Sequence, residues 1–315
     1  MKALSLARLV ASMHLLCLVV LVTAVAGIAR AQTAAQPQPK AKLPPKEPLE
    51  LRTLCFNLRF DNPRDGEDRW DNRKDLVVAT IREHDPDVIG LQEGLMHQLE
   101  HLLNALPEYA HIGVGRDDGE RTGEYAAILY KKSVLAPTES GTFWLSDTPE
   151  VPGSRTWGNR VVRICTWARL AHGGSGRAVW VYNAHLDHES QPAREKGLKL
   201  IAERMAARAD AEPALLMGDF NAGENNSAVR FIKGEAGEGG ETPAITLVDS
   251  FRRLHPAETN VGSFHGFKGD PIEDKIDYIL VEPGATVLKA EIDRRSFDGR
   301  YPSDHFPISA TIRWE

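Results

Sequence analysis

The chain has 315 residues, with 38 Lys and Arg against 44 Asp and Glu and a formal charge of −6. That length buries a sufficient core without covalent staples, and the acidic balance argues against a protein built to grip long nucleic acid. Only 3 cysteines are present, which excludes a disulfide scaffold; Cys55 and Cys165, each inside an apolar strand-like run, read as buried thiols.

Met1, Lys2 and Arg8 precede a long apolar run from Leu9 to Ala29, and Ala29-Arg30-Ala31 supplies small residues where a signal peptidase reads. Residues 1–31 are therefore expected to be a secretory signal, placing the protein outside the cell or in the periplasm with no membrane-spanning segment after cleavage. An uncleaved anchor that tethers the protein to the membrane is the alternative, because the run approaches spanning length. Removing Lys2, Arg8 and Arg30 takes the formal charge from −6 to −6 − 3 = −9. Residues 32–50, rich in Pro, Gln, Ala and Lys, read as a semi-extended linker. Residues 51–315 read as one domain, expected to act as a monomer.

Within it, Leu51–Phe60 reads as a strand, Arg73–His84 as a helix ended by Asp85-Pro86-Asp87, Val88–Gln92 as a short strand, and Met96–Leu106 as an amphipathic helix. Ala126–Lys131, Val161–Leu170 and Ala178–Leu186 read as strands. Arg194–Arg208 is helical, with Leu198, Ile201 and Met205 on one stripe. Ala214–Asp219, Lys275–Val281, Val287–Arg294 and Phe306–Trp314 complete the strands. Several strands follow one another with no room for a helix between them, so the sheets must be antiparallel or mixed. The expected class is α+β, with sheets packed together and helices outside.

The ends of these strands carry unusual polar residues. Asn57 interrupts the apolar "LCFNLRF"; "VIGLQEG" closes on Gln92 and Glu93; "VYNAHLDH" sets Asn183, His185 and Asp187 on one face. "MGDFNA" pairs Asp219 with Asn221, "KIDYILV" holds Asp277 among apolar neighbours, and "YPSDHFPI" closes on Asp304 and His305. Each alone has a plain structural reading: Asn57 and Asp277 as satisfied core polar groups, Glu93 as a turn cap with Gly94, Asp219 and Asn221 as turn residues. Together they are costly to bury unless they pair or bind a cation, and carboxylate and amide oxygens suit a hard divalent ion rather than zinc. His185 and His188 lie three apart, on opposite faces of one strand, so they do not share a metal.

This order of motifs resembles the endonuclease/exonuclease/phosphatase superfamily, through "FN" at 56–57, "LQE" at 91–93, "NAHLDH" at 183–188, "GDFN" at 218–221, "IDYI" at 276–279 and "SDHFP" at 303–307. "FWLSDTPEVPGS", from Phe143, also resembles a segment of its secreted bacterial members. The resemblance implies a DNase I-like fold: a four-layer α/β/β/α sandwich of two packed mixed sheets with outer helices. It implies a metal-dependent phosphoric ester hydrolase that uses Mg2+ or Mn2+. It makes Glu93 the principal metal ligand, assisted by Asn57 and Asp304, and places His305, oriented by Asp277, at the phosphate or its attacking water. Asp219 becomes the base or the leaving-group acid, Asn221 and His185 become donors to phosphate oxygens, and Arg163 a phosphate-binding arginine, with Arg160 as a neighbouring candidate. Asn183 is expected to brace His185 beside the substrate. In "GSFHGF", Phe264, His265 and Phe267 are expected to form a substrate-facing wall, the alternative being two core Phe residues with His265 in a surface turn. The expected substrate is a small or terminal phosphoester, with long duplex nucleic acid disfavoured. A nuclease is the alternative within the enzyme reading, and a catalytically silent binding module the alternative to it.

Overall fold

The computed structural model describes residues 47–235, 240–272 and 274–315; the expected signal and most of the expected linker lie outside them. Strand β1 (Leu49–Asn57) is followed by a short 3-10 turn (Pro63–Asp68), helix α1 (Trp70–His84), β2 (Val88–Gly94), α2 (Met96–Ala105), β3 (Tyr109–Ile112), β4 (Tyr125–Lys131) and β5 (Leu135–Trp144). The second half runs β6 (Ile164–His172), β7 (Arg177–His185), α3 (Gln191–Ala206), β8 (Ala214–Asp219), α4 (Ser227–Ile232), β9 (Val248–Asp249), α5 (Ser250–Leu254), β10 (Asp277–Val281), β11 (Thr286–Ile292) and β12 (Ile308–Trp314).

The strands form two six-stranded sheets, in the orders β11-β12-β1-β2-β4-β3 and β5-β6-β7-β8-β10-β9. Each sheet has a single parallel pair near its centre, β1 with β2 and β7 with β8, and antiparallel partners on either side. Each parallel pair is joined through a helix, α1 or α3, because parallel neighbours need a crossover. The central strands are apolar on both faces. In β1, Leu49, Leu51 and Cys55 face the second sheet while Leu54 and Phe56 pack outward under α1 and α2. In the second sheet, Val181, Leu215 and Met217 point inward, and Tyr182, Ala214 and Leu216 meet α3 and α4. Three apolar layers separate helices, sheet, sheet and helices, so the α+β four-layer sandwich holds. Cys55 and Cys165 are free and buried.

Strand β1 starts at Leu49, opposite Trp314, two residues earlier than the sequence suggests. Three other strands begin later than expected, at Ile164, Asp277 and Ile308. All three overshoots fall at one edge of the sandwich, where the chain leaves the ladders to build loops. Strand β5 escaped the sequence reading because its middle, Ala136–Ser140, is exposed and polar at the edge of a sheet. β3, β9, α4 and α5 are too short to show a period.

The topology decides where polar residues collect. β1, β2, β7 and β8 end at one edge of the two sheets, at Asn57, Glu93-Gly94, His185 and Asp219. Their antiparallel neighbours β10 and β12 start at that same edge, with Asp277 opposite Asp219 and the 303–307 loop preceding Ile308. Six sequence motifs thus converge because strand direction puts their ends together.

Candidate active site

At that edge lies a cleft of about 750 Å³, lined by Glu93, Arg163, His185, Asp219, Asn221, Asp304 and His305 among others. Asp277 and Asn57 stand directly behind it, both almost fully buried.

Asp219 is the hub. Its Oδ2 accepts from Asn57 Nδ2 at 2.9 Å and lies 3.6 Å from His185 Nε2 and 3.9 Å from His305 Nε2. Its Oδ1 accepts from the Asn221 backbone N–H at 2.9 Å. Burial, reinforced by the Asp277 carboxylate, pushes the Asp219 carboxyl up to about 7. His305 Nδ1 meets Asp277 Oδ2 at 2.8 Å. Burial opposes a charged His305 ring, but Asp277, Asp219 and Asp304 outweigh it and hold the imidazole well above its usual range. His185 goes the other way. Burial and the cations Arg163 and Arg116 push it well below the ordinary value, so its ring is neutral.

Glu93 accepts from Asn57 Nδ2 at 3.1 Å and from the Phe60 backbone N–H at 3.1 Å. Its oxygen, a nitrogen of His185 and an oxygen of Asp219 lie within 4.8 Å of one another, as do ligand atoms of Asp219, Asp277 and His305. Asp304 belongs to neither group; burial and then Glu93 raise its pKa, while Arg59 Nε, 3.6 Å away, partly offsets the charge. Several buried carboxylates face one cleft that also holds Arg59, Arg116 and Arg163, and their oxygen donors suit a hard divalent cation. Asn57 ties the cluster together: its NH2 bridges Glu93 and Asp219, and its oxygen accepts the Arg59 backbone N–H at 2.9 Å.

Arg163 is buried. Its Nη2 lies 2.8 Å from His188 Nδ1; Nε faces Asp187 Oδ2 at 3.9 Å, and neither Nε nor Nη1 makes a hydrogen bond among the described residues. A buried guanidinium in the cleft wall whose Nη1 has no hydrogen-bond partner among the described residues suits an anion, with Asp187 already offsetting part of its charge. Arg160, its rival from the sequence, points away into an exposed pair with Glu189.

Two expected contacts need correction. Asn183 does not reach substrate: fully buried, it donates to Leu91 O (2.8 Å) and Ala127 O (2.9 Å) and accepts from Gln92 Nε2 at 2.6 Å. It clips the two sheets together, and a Cβ on Gly90 would stand 2.8 Å from its Oδ1. His265 is also fully buried, stacked on Phe306 at 4.0 Å, its backbone N–H donating to Asp304 O at 2.8 Å. It braces the loop carrying His305, whereas its neighbours Phe264 and Phe267 do line the cleft.

The structure adds residues that the sequence reading passed over. Arg116 and Glu124 form a bidentate pair of 2.6 and 2.7 Å in the cleft wall. Burial, opposed by Arg116 but aided by Glu93, pushes Glu124 up to about 7, and its Oε2 lies 3.9 Å from His185 Nδ1. Backbone strain is a further mark. Of six non-glycine residues with positive φ among the described residues, four line the cleft: Arg59 (55°), Glu93 (62°), Asn221 (49°) and Phe267 (64°). Strain of this kind persists where surrounding structure enforces it, commonly at functional sites. A separate cavity of about 640 Å³ between α1, α5 and β11 has its charges paired internally, as in His84–Asp293 at 2.9 Å and Arg295–Glu83 at 2.7 Å.

Residues 54–305 match the model of the "Endonuclease/Exonuclease/phosphatase family". Among solved structures, an endonuclease/exonuclease/phosphatase from Bacteroides vulgatus superposes with a TM-score of 0.77 at 34% identity, covering 85% of this chain and 100% of that one. A mannosyl-6-phosphatase from Bacteroides thetaiotaomicron gives 0.74 at 33% identity over 83% and 99%. Among curated proteins, Nocturnin of Drosophila melanogaster is 28% identical across 76% of this chain and 41% of its own length. The chain spans about half the length of the curated relatives it matches.

Proposed function

Because this chain belongs to the endonuclease/exonuclease/phosphatase family, we propose that it is a divalent-metal-dependent phosphoesterase acting outside the cytoplasm on small or terminal phosphoesters. The observation that carries the reading is the hub at Asp219, in reach of Asn57, His185 and His305, in a cleft whose wall holds the buried Arg163 guanidinium. A phosphoester anion repels nucleophiles, so its hydrolysis needs positive charge on the non-bridging oxygens and a group that moves a proton. Arg163 supplies fixed charge, and His305, held cationic by Asp277, supplies more.

Asp219, poised near neutral pH, is suited to exchange a proton with the attacking water or the leaving oxygen. Asn221 and neutral His185 donate to the phosphate oxygens. Glu93, with Asp219 or His185 at its side, would hold Mg2+ or Mn2+, which supplies Lewis-acid polarisation of the phosphoryl oxygens. The likeness to a mannosyl-6-phosphatase supports a small ester, and the apolar run with Ala29-Arg30-Ala31 supports export.

The test is a panel of a hexose 6-phosphate, p-nitrophenyl phosphate, bis-p-nitrophenyl phosphate and plasmid DNA, with Mg2+ or Mn2+ and again with EDTA. Metal-dependent turnover of a small ester, abolished by EDTA, is the expected result. Inertness toward every ester, or turnover untouched by EDTA, overturns the reading.

A further inference from the structure

We propose that His188 selects the group esterified to the phosphate, by donating Nε2–H to an uncharged oxygen on it; this rests on the phosphoesterase reading of the cleft. His188 lines the cleft and is about half exposed, with side-chain exposure of 47%. Its Nδ1 lies 2.8 Å from Nη2 of Arg163. A guanidinium only donates, so Nδ1 must carry the lone pair, and the ring proton is therefore on Nε2. The ring thus presents its Nε2–H to the cleft as a donor. Among the described residues nothing else takes that donor: the nearest carboxylate oxygen, on Glu189, is 3.7 Å away and already engaged by Arg160.

The same contact explains why the donor serves the leaving group and not the phosphate. Arg163 keeps Nη1 without a hydrogen-bond partner among the described residues, holds Nε 3.9 Å from Asp187 Oδ2, and spends Nη2 on the histidine. His188 is thus one residue removed from the guanidinium that faces charge, and it is more exposed than His185. Phe264 and Phe267 supply an apolar wall to the same cleft. A donor and an aromatic wall in one cleft match a polyhydroxylated carbon skeleton, whose hydroxyls accept and whose C–H face packs on a ring. A bare alkyl or aryl ester would use the wall alone.

The experiment compares a hexose 6-phosphate with cyclohexylmethyl phosphate, which has similar shape and no hydroxyls. The readout is the ratio of kcat/KM for the two esters in wild type, His188→Ala and His188→Gln. Loss of one neutral hydrogen bond lowers the ratio about 5- to 10-fold in His188→Ala. Gln carries an oxygen for Arg163 and an N–H near the position of Nε2, so it restores most of the ratio. His188→Leu replaces the alanine variant should the latter fail to fold. The same esters are titrated calorimetrically in EDTA, where the affinity ratio reads the contact without turnover. A ratio unchanged by His188→Ala, or both esters weakened equally, overturns the proposal. If wild type hydrolyses neither these two esters nor any other ester of the panel above with any metal, the phosphoesterase reading fails, while the affinity ratio still decides the role of His188.

Discussion

Nδ1 of His305 sits 2.8 Å from Oδ2 of Asp277, and the opposite nitrogen of the ring points to Asp219 at 3.9 Å. A buried carboxylate on one nitrogen fixes the ring and favours its protonated form, so the two residues perform one task. Removing either one should lower kcat by about 10²- to 10⁴-fold, the usual contribution of a positioned proton-transfer group. Removing both should cost little more than the worse single change. Steady-state kinetics of Asp277→Asn, His305→Ala and the double variant check this; losses that multiply in full would mean that the two residues act independently.

Asp219 makes a prediction about stability. Its carboxyl is raised to about 7 by burial and by Asp277, whereas the unfolded chain titrates near the ordinary carboxylate value of ~3.9. Between those values the folded state keeps a proton that the unfolded state has released, so metal-free stability falls as pH rises from about 4 to about 7. Asp219→Asn cannot lose this proton. Its Tm in EDTA, compared with wild type, should gain from pH 4 to about pH 7 and level off above it, while activity disappears. A difference in Tm that is flat with pH would contradict the buried, protonated carboxyl.

Asn183 tests the correction made above. Its two donated bonds reach carbonyls of β2 and β4 in the facing sheet, and Gln92 donates to its oxygen. Asn183→Ala strands these partners in a dry interior, at a cost of about 3 kcal/mol. Denaturant unfolding should show that loss, while KM for a small ester stays within about 3-fold. A large rise in KM with native stability would return Asn183 to the substrate.

These cases show what a sequence reveals of such a site. The strand-end motifs are legible because each is short, adjacent to an apolar run, and placed by strand direction alone. Alternation correctly set Asn183 and His185 on one face, but it carries no depth. Two residues, ~6.6 Å of strand, separate the cleft from the sealed space between sheets. His265 was hidden for a related reason, since a polar ring stacked on Phe306 has no apolar signature. The Arg116–Glu124 pair lies on a loop between β3 and β4, where no period exists and the alternating charges of "GRDDGERTGEY" resemble a solvated surface. Only the backbone bonds that fold this loop back on itself, such as Arg116 N to Glu124 O at 3.1 Å, bring the pair to the cleft.

Glu93 should control metal use. Two N–H donors, from Asn57 and Phe60, hold its carboxylate in place at 3.1 Å each. Glu93→Gln keeps the shape and removes the charge, so the metal concentration for half-maximal rate should rise at least 10-fold. Titration of Mg2+ and Mn2+ against initial rate reads this directly. Native turnover at limiting metal would assign the cation to the other group, around Asp219, Asp277 and His305.

The remaining prediction concerns nucleic acid. Proteins that hold long duplexes neutralise many phosphates, and their affinity collapses as salt rises. The whole chain has a formal charge of −6, and two of the three arginines that line this cleft are already paired with carboxylates. Arg59 pairs with Asp65 at 2.9 Å, Arg116 with Glu124 at 2.6 Å, and Arg163 sits buried within the wall. Such a cleft neutralises one or two phosphates, not the six or more that give a steep salt slope. Plasmid DNA should therefore be cut far more slowly than a small ester at about 150 mM salt. The logarithm of kcat/KM for the small ester should fall with log salt by a slope of about one or less. Rapid plasmid nicking with a steep salt slope would restore a nuclease as the better reading, because only a long phosphate track produces that dependence.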